Sequence, residues 1–167
     1  MTPFDKAMTD WFSHAWPGPL LRQSAWMFAM GETLHFVGLC LLLGALIFID
    51  LRLLGFFKQL PGKSVLALVP YAVVGFLINL STGWAFFTSL PAMYWGNWAF
   101  WLKMSLILLA GINMLVFTIV EHRHVAKLGP GEDTSQMTKI TAVLSLGFWL
   151  LVLLLGRLLP VFTVSQN

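Results

Sequence analysis

The chain has 167 residues, of which 58% are hydrophobic and only 10% charged, with a formal net charge of +3. A soluble domain carries about 25% charged residues to wet its surface, so this composition excludes one, and it equally excludes disorder, which needs low hydrophobicity and high charge. The single cysteine, Cys40, excludes an intrachain disulfide framework or a CxxC site, and the basic residues gather at the ends of apolar runs, where they orient a membrane protein instead of forming a nucleic-acid footprint.

The chain therefore reads as one all-α integral membrane domain over residues 1–167, a bundle of four transmembrane helices preceded by an interfacial amphipathic helix at residues 1–18. In that first element Phe4, Met8, Trp11, Phe12 and Ala15 recur at helical spacing, with Lys6, Asp10 and His14 opposite, the pattern of a helix lying in the membrane interface. Pro17-Gly18-Pro19 ends it and turns the chain into the bilayer. A cleavable signal peptide is not expected, because the apolar run starts too late and is too long.

The spans follow at about 24–49, 65–90, 98–120 and 140–159, each long enough for the roughly 20 residues that cross a hydrocarbon core as a helix. Helices are required because each backbone polar group must be satisfied within its own segment in lipid. Asp50 and Arg52 are expected to stop the first span. Arg52, Lys58 and Lys63 in the first loop, and Arg123, Lys127 and Lys139 in the third, contrast with a second loop, Pro91 to Asn97, that has no basic residue. That bias predicts loops one and three in the cytoplasm and both termini on the periplasmic side of a bacterial inner membrane. Trp16, Trp26, Trp84, Trp95, Trp98 and Trp101 crowd the outer ends as an aromatic belt does.

Ionisable groups inside a span are costly and face the bundle interior or a cavity. With about 1.5 Å of rise per residue, Glu32 and His35 lie roughly 9 and 13 Å below Trp26, Lys103 roughly 8 Å below Trp98, and Asn79 roughly 16 Å below Leu90. Arg157 is within about one turn of the outer end. Glu32, His35, Asn79, Thr82, Lys103 and Arg157 thus share the outer half, and only Asn113 lies clearly deeper. Glu32 and His35 share a helix face, and Gly31, Gly38, Gly75 and Gly83 leave room for close approach of a helix or a flat cofactor. The alternative is structural: Glu32 paired with Lys103 or Arg157, Lys103 snorkelling to the interface, Asn79 joining helices, and the glycines packing. Met27, Met30, Met93 and Met104 are soft donors suited to Cu(I). His122 and His124, two residues apart, point away from one another on a helix. No phosphate loop, nucleophile triad or HExxH is present.

Glu32-Thr33-Leu34-His35-Phe36-Val37-Gly38, running through Gly44 to Asp50-Leu51-Arg52-Leu53, resembles the first span of small four-helix bacterial membrane proteins, including the HemJ-type protoporphyrinogen oxidases and the CopD-like copper-resistance domains. It is nearest in kind to family members of uncharacterised activity. Phe100-Trp101-Leu102-Lys103 resembles the aromatic-rich opening of that family's third span. The resemblance implies haem b bound by His35 and Lys103 as axial metal ligands. Glu32 would accept the imidazole N–H or hold Lys103, Arg157 would meet a propionate, and Asn79 would lie nearby. The function expected is redox or electron transfer, with porphyrinogen oxidation its most specific form. The competing readings are a non-enzymatic accessory subunit of a larger membrane complex, and a copper or small-solute transport protein. A homo-oligomer fits any of these.

Overall fold

The computed structural model describes residues 2–164. It is helical throughout, and no strand occurs among the described residues. The N-terminal part forms α1 (Pro3–Ser13) and α2 (Gly18–Gln23), and the first span is α3 (Ala25–Leu53). The second span consists of a short α4 (Gly62–Leu66) and α5 (Val69–Ser89). After α6 (Pro91–Trp95) comes the third span, α7 (Trp98–Val116), continued by a π-helical segment (Phe117–Glu121) and α8 (His122–Val125). The last span is α9 (Gln136–Val164). Four helices are long and apolar enough to cross a membrane, and at most 28% of the most apolar window of any of them is buried. The outward majority is the surface a bilayer covers, so the chain is an all-α four-helix membrane bundle.

The spans pair as two hairpins. α3 packs along α5, α7 packs along α9, and the hairpins join chiefly where α3 meets α9, with α5 and α7 meeting through the stacked rings of Phe87 and Phe100. On the α3–α5 seam, a Cβ on Gly75 would stand 2.5 Å from the Leu42 backbone, and one on Gly38 would stand 2.7 Å from the Asn79 amide nitrogen. Small residues therefore set this approach, as they do wherever membrane helices pack closely.

The first span does not stop at Asp50. α3 continues to Leu53 with Asp50 and Arg52 buried, Arg52 to 1% exposure. Gly55 stops it, at a left-handed φ of 94°. The Gly55 N–H donates to the Arg52 carbonyl and the Phe56 N–H to that of Leu51, the paired bonds of a Schellman cap, which glycine permits. The break between α4 and α5 has its cause in Pro70, whose ring would meet the carbonyl four residues back in a continuous helix.

At this basic end the first and third loops are knitted together. Arg52 donates from Nε to the Leu60 carbonyl (2.8 Å) and from Nη2 to that of Glu132 (3.2 Å). Gly62 N–H donates to the Leu128 carbonyl, Gly131 N–H to that of Lys58, and Thr134 Oγ1 to that of Leu53. Asp133 bridges Lys58 and Lys139 at 2.9 and 3.0 Å. Glu121, buried at the end of the π segment, accepts from the hydroxyls of Ser135 and Thr138 at the start of α9, where a helix N-terminus favours negative charge. Beneath lies the core cluster of Ile49, Leu53, Val65, Leu66, Phe117, Val125 and Ala142. Ala110, Phe117, Glu121 and Val125 form one buried stripe that runs through the π segment, at the four- and seven-residue spacing of a helix face.

The N-terminal segment differs in part from the sequence expectation. α1 ends at Ser13 instead of near Pro17, and a second helix, α2, follows. Its aromatic residues divide: Phe4 and Trp11 are exposed, whereas Phe12 packs against Trp84, Phe87 and Trp95. Thr2 and Asp5 form a capping box at the start of α1, and Trp95 Nε1 donates to Asp5 (3.1 Å). These bonds, those from Thr2 first, hold the Asp5 carboxyl below its ordinary pKa. Arg22 donates to the carbonyls of Thr88 and Ser89 at the end of α5, and also to Ser13, which satisfies acceptors that a helix C-terminus leaves open.

Candidate functional site

In the half of the bundle nearest the N-terminus, the polar residues singled out in the sequence come from α3, α5, α7 and α9. His35 on α3 is half-buried, and its Nδ1 lies 2.6 Å from Thr82 Oγ1 on α5. The Thr82 hydroxyl donates to the Ile78 carbonyl at 2.7 Å, so its single proton is committed. It therefore accepts from His35, which assigns the imidazole proton to Nδ1 and leaves the lone pair on Nε2. The ring edge meets Phe86 at 5.6 Å between centroids, and Gly83 faces the ring, with 4.0 Å from its would-be Cβ to His35 Cε1.

Lys103 on α7 is within electrostatic reach of His35. Its ammonium stands against Gly156 of α9, 3.2 Å from where a Cβ would be. A larger residue at 156 would push the lysine out of this position. Lys103 has no hydrogen bond or ion pair among the described residues.

Glu32 is exposed and pairs with neither Lys103 nor Arg157 among the described residues. The imidazole partner is Thr82, not Glu32. The Glu32 charge acts on Tyr94 in α6, where burial, and after it this carboxylate, push the phenol above its ordinary pKa. Asn79 lies one turn below Thr82 and donates to the Gly75 carbonyl of its own helix at 2.9 Å. It packs on Gly38 and is turned to the α3–α5 seam. Arg157 is exposed beside Gly156. The structure thus bonds His35 to Thr82 with Lys103 within electrostatic reach, leaves Glu32 and Arg157 exposed, and turns Asn79 to the α3–α5 seam. Met27 and Met30 both face outward.

Sequence reasoning placed Thr82 at this depth without recognising it as the imidazole's partner. The signal was available in the spacing: a threonine one turn above Asn79, on the same face as Gly75. No cluster of three or more His, Cys, Asp or Glu able to hold a metal ion is present among the described residues. A site of one imidazole and one amine needs no such cluster, and His35 Nε2 and Lys103 Nζ have no hydrogen-bond partner among the described residues.

A family model described as a family of unknown function, DUF6644, matches residues 10–162, and the chain belongs to that family. No curated protein and no solved structure matches it.

Proposed function

We propose that this member of the DUF6644 family is a b-type haem protein serving redox chemistry or electron transfer, with His35 as an axial ligand and Lys103 as the opposite one. The observation that carries the reading is the His35–Thr82 bond. It fixes the tautomer that offers Nε2 to a metal, as the second-shell partner of a ligating histidine does. When bound, haem supplies one-electron redox chemistry. The chain's own part is to hold the imidazole through Thr82, to keep an unpaired amine opposite through the space at Gly156, and to exclude water with Phe86. Arg157, exposed beside Gly156, is the cation available to a propionate. Oxidation of a porphyrinogen is the most specific form of this activity.

The test is the absorption spectrum of gently purified protein. A Soret band with reduced α and β bands is expected, lost in His35→Ala and altered but present in Lys103→Ala. Thr82→Val should lower haem occupancy by about tenfold, the usual scale for a second-shell partner. A colourless wild type, or wild-type haem in His35→Ala, overturns the reading.

The loop charges support an orientation with loops one and three in the cytoplasm and both termini periplasmic, in a bacterial inner membrane. A cysteine placed at Lys127 should resist membrane-impermeant reagents in intact cells and react after permeabilisation. Labelling in intact cells would reverse the topology.

A further inference from the structure

Between the two hairpins lies a cavity of about 210 Å³ to which all four spans contribute, among them Asp50, Phe76, Gly111, Asn113, Ser145 and Trp149. Along α3 it lies toward the basic end and away from His35. It lies between α5 and α7 below the stacked rings of Phe87 and Phe100. Gly111 is exposed at its rim, and a Cβ there would meet nothing within 4 Å.

The wall is apolar except at one place. Asp50 is 4% exposed, and its Oδ2 has no hydrogen-bond partner. The Ser145 hydroxyl faces the carboxyl, and the Asn113 amide is engaged with the Thr141 carbonyl at 2.9 Å. Among the described residues no ion pair answers Asp50: Arg52, two residues on, donates from Nε and Nη2 to the loop carbonyls of Leu60 and Glu132, and its buried Nη1 has no hydrogen-bond partner. A buried carboxyl oxygen left without a partner is costly in either protonation state. In a membrane span such a group marks a site by default.

We infer that this cavity binds a lipophilic primary amine, with its nitrogen on Asp50 Oδ2 and its apolar body against Phe76 and Trp149. An amine satisfies the carboxyl whichever partner holds the proton: an ammonium pairs with the carboxylate, and a neutral amine accepts from the acid. The rings of Phe76 and Trp149, edge-to-face at 6.2 Å between centroids, add surface that a cation favours. Size sets the rest. An apolar cavity of about 150 Å³ takes up benzene, so this one suits a ring with a short chain. The site is separate from the proposed haem ligands and does not depend on them.

The experiment is titration calorimetry of the full chain in phosphatidylcholine nanodiscs, with 2-phenylethylamine and its neutral isostere 2-phenylethanol, against empty nanodiscs. Wild type should bind the amine at least tenfold more tightly than the alcohol. Asp50→Asn should erase that preference. Gly111→Phe, which adds its side chain into open space at the rim and so spares the fold, should abolish binding of both. Amine binding no stronger than to empty discs, equal affinity for amine and alcohol, or full retention in either variant overturns the proposal. If Asp50→Asn does not fold, Gly111→Phe decides alone.

Discussion

The two ends of the bundle are both rich in polar groups and use them in opposite ways. At the basic end several are tied together across the loops: Arg52 with two loop carbonyls, Glu121 with two hydroxyls, and Asp133 with two lysines, while Asp50 Oδ2 and Arg52 Nη1 stay without a partner. At the other end Arg22 and Asp5 fasten the N-terminal helices, but Glu32, Lys103 and Arg157 have no hydrogen bond or ion pair among the described residues. Buried polar groups that find partners in their own fold account for themselves structurally. Lys103, held against Gly156 without a partner, is the group at the other end that a ligand would complete.

Removing one arginine from each end tests this contrast most severely. Arg52→Ala strips two carbonyls of a charged donor in a buried setting and should cost about 3 kcal/mol, read by thermal or denaturant unfolding in detergent. Arg157→Ala should stay within about 0.5 kcal/mol, as surface changes do. Equal losses would break the contrast.

A glycine pair sharpens it at smaller scale. A Cβ on Gly62 would drive into the Val125 carbonyl, whereas one on Gly96, at the opposite end, meets nothing within 4 Å. Gly62→Ala should cost about 2 kcal/mol, in the overpacking range, and Gly96→Ala should cost nothing measurable in the same unfolding assay.

The smallest effect is one of pH. Bonds from Lys58 first, then Lys139 and the Thr134 amide, hold the Asp133 carboxyl well below the usual carboxylate range. A depressed folded pKa stabilises fully above the unfolded value of about 3.9, and that stabilisation fades as pH falls below it toward the folded value. Asp133 is exposed, so screening keeps the effect small. Hydrogen exchange at the Gly131 amide, bonded to the Lys58 carbonyl, should quicken below about pH 4 beyond its intrinsic trend. Asp133→Asn should remove that extra acceleration. An identical pH response in the variant would dissociate the ion pairs from the loop clamp.

The four spans were legible because an apolar run of about 20 residues has one stable solution in lipid. Asp50 and Arg52 were misread for a related reason. A charge at the end of an apolar run signals the water boundary, yet here the helix carries both inward, and their surroundings come from loops and spans distant in sequence. The π segment was not legible: Phe117-Thr118-Ile119-Val120-Glu121 reads as ordinary α-helix, in which Phe117, Glu121 and Val125 already share a face. At the candidate site, depth grouped Glu32, His35, Asn79, Thr82, Lys103 and Arg157, of which His35 and Thr82 bond to one another. Which of them bond depends on helix rotation, and that was set by the close approach at Gly38 and Gly75.

Arg52 also ties the order of synthesis to the order of assembly. Its second carbonyl partner, Glu132, lies 80 residues further along the chain. At about 5–20 residues per second, a ribosome needs roughly 4–16 s to supply it. Through that interval the first hairpin is inserted with its guanidinium only half satisfied, and the nascent chain cannot close its basic end. The loop after the third span works as a late-arriving latch, so a release or truncation before residue 132 leaves an open hairpin that quality-control proteases can distinguish from the finished protein.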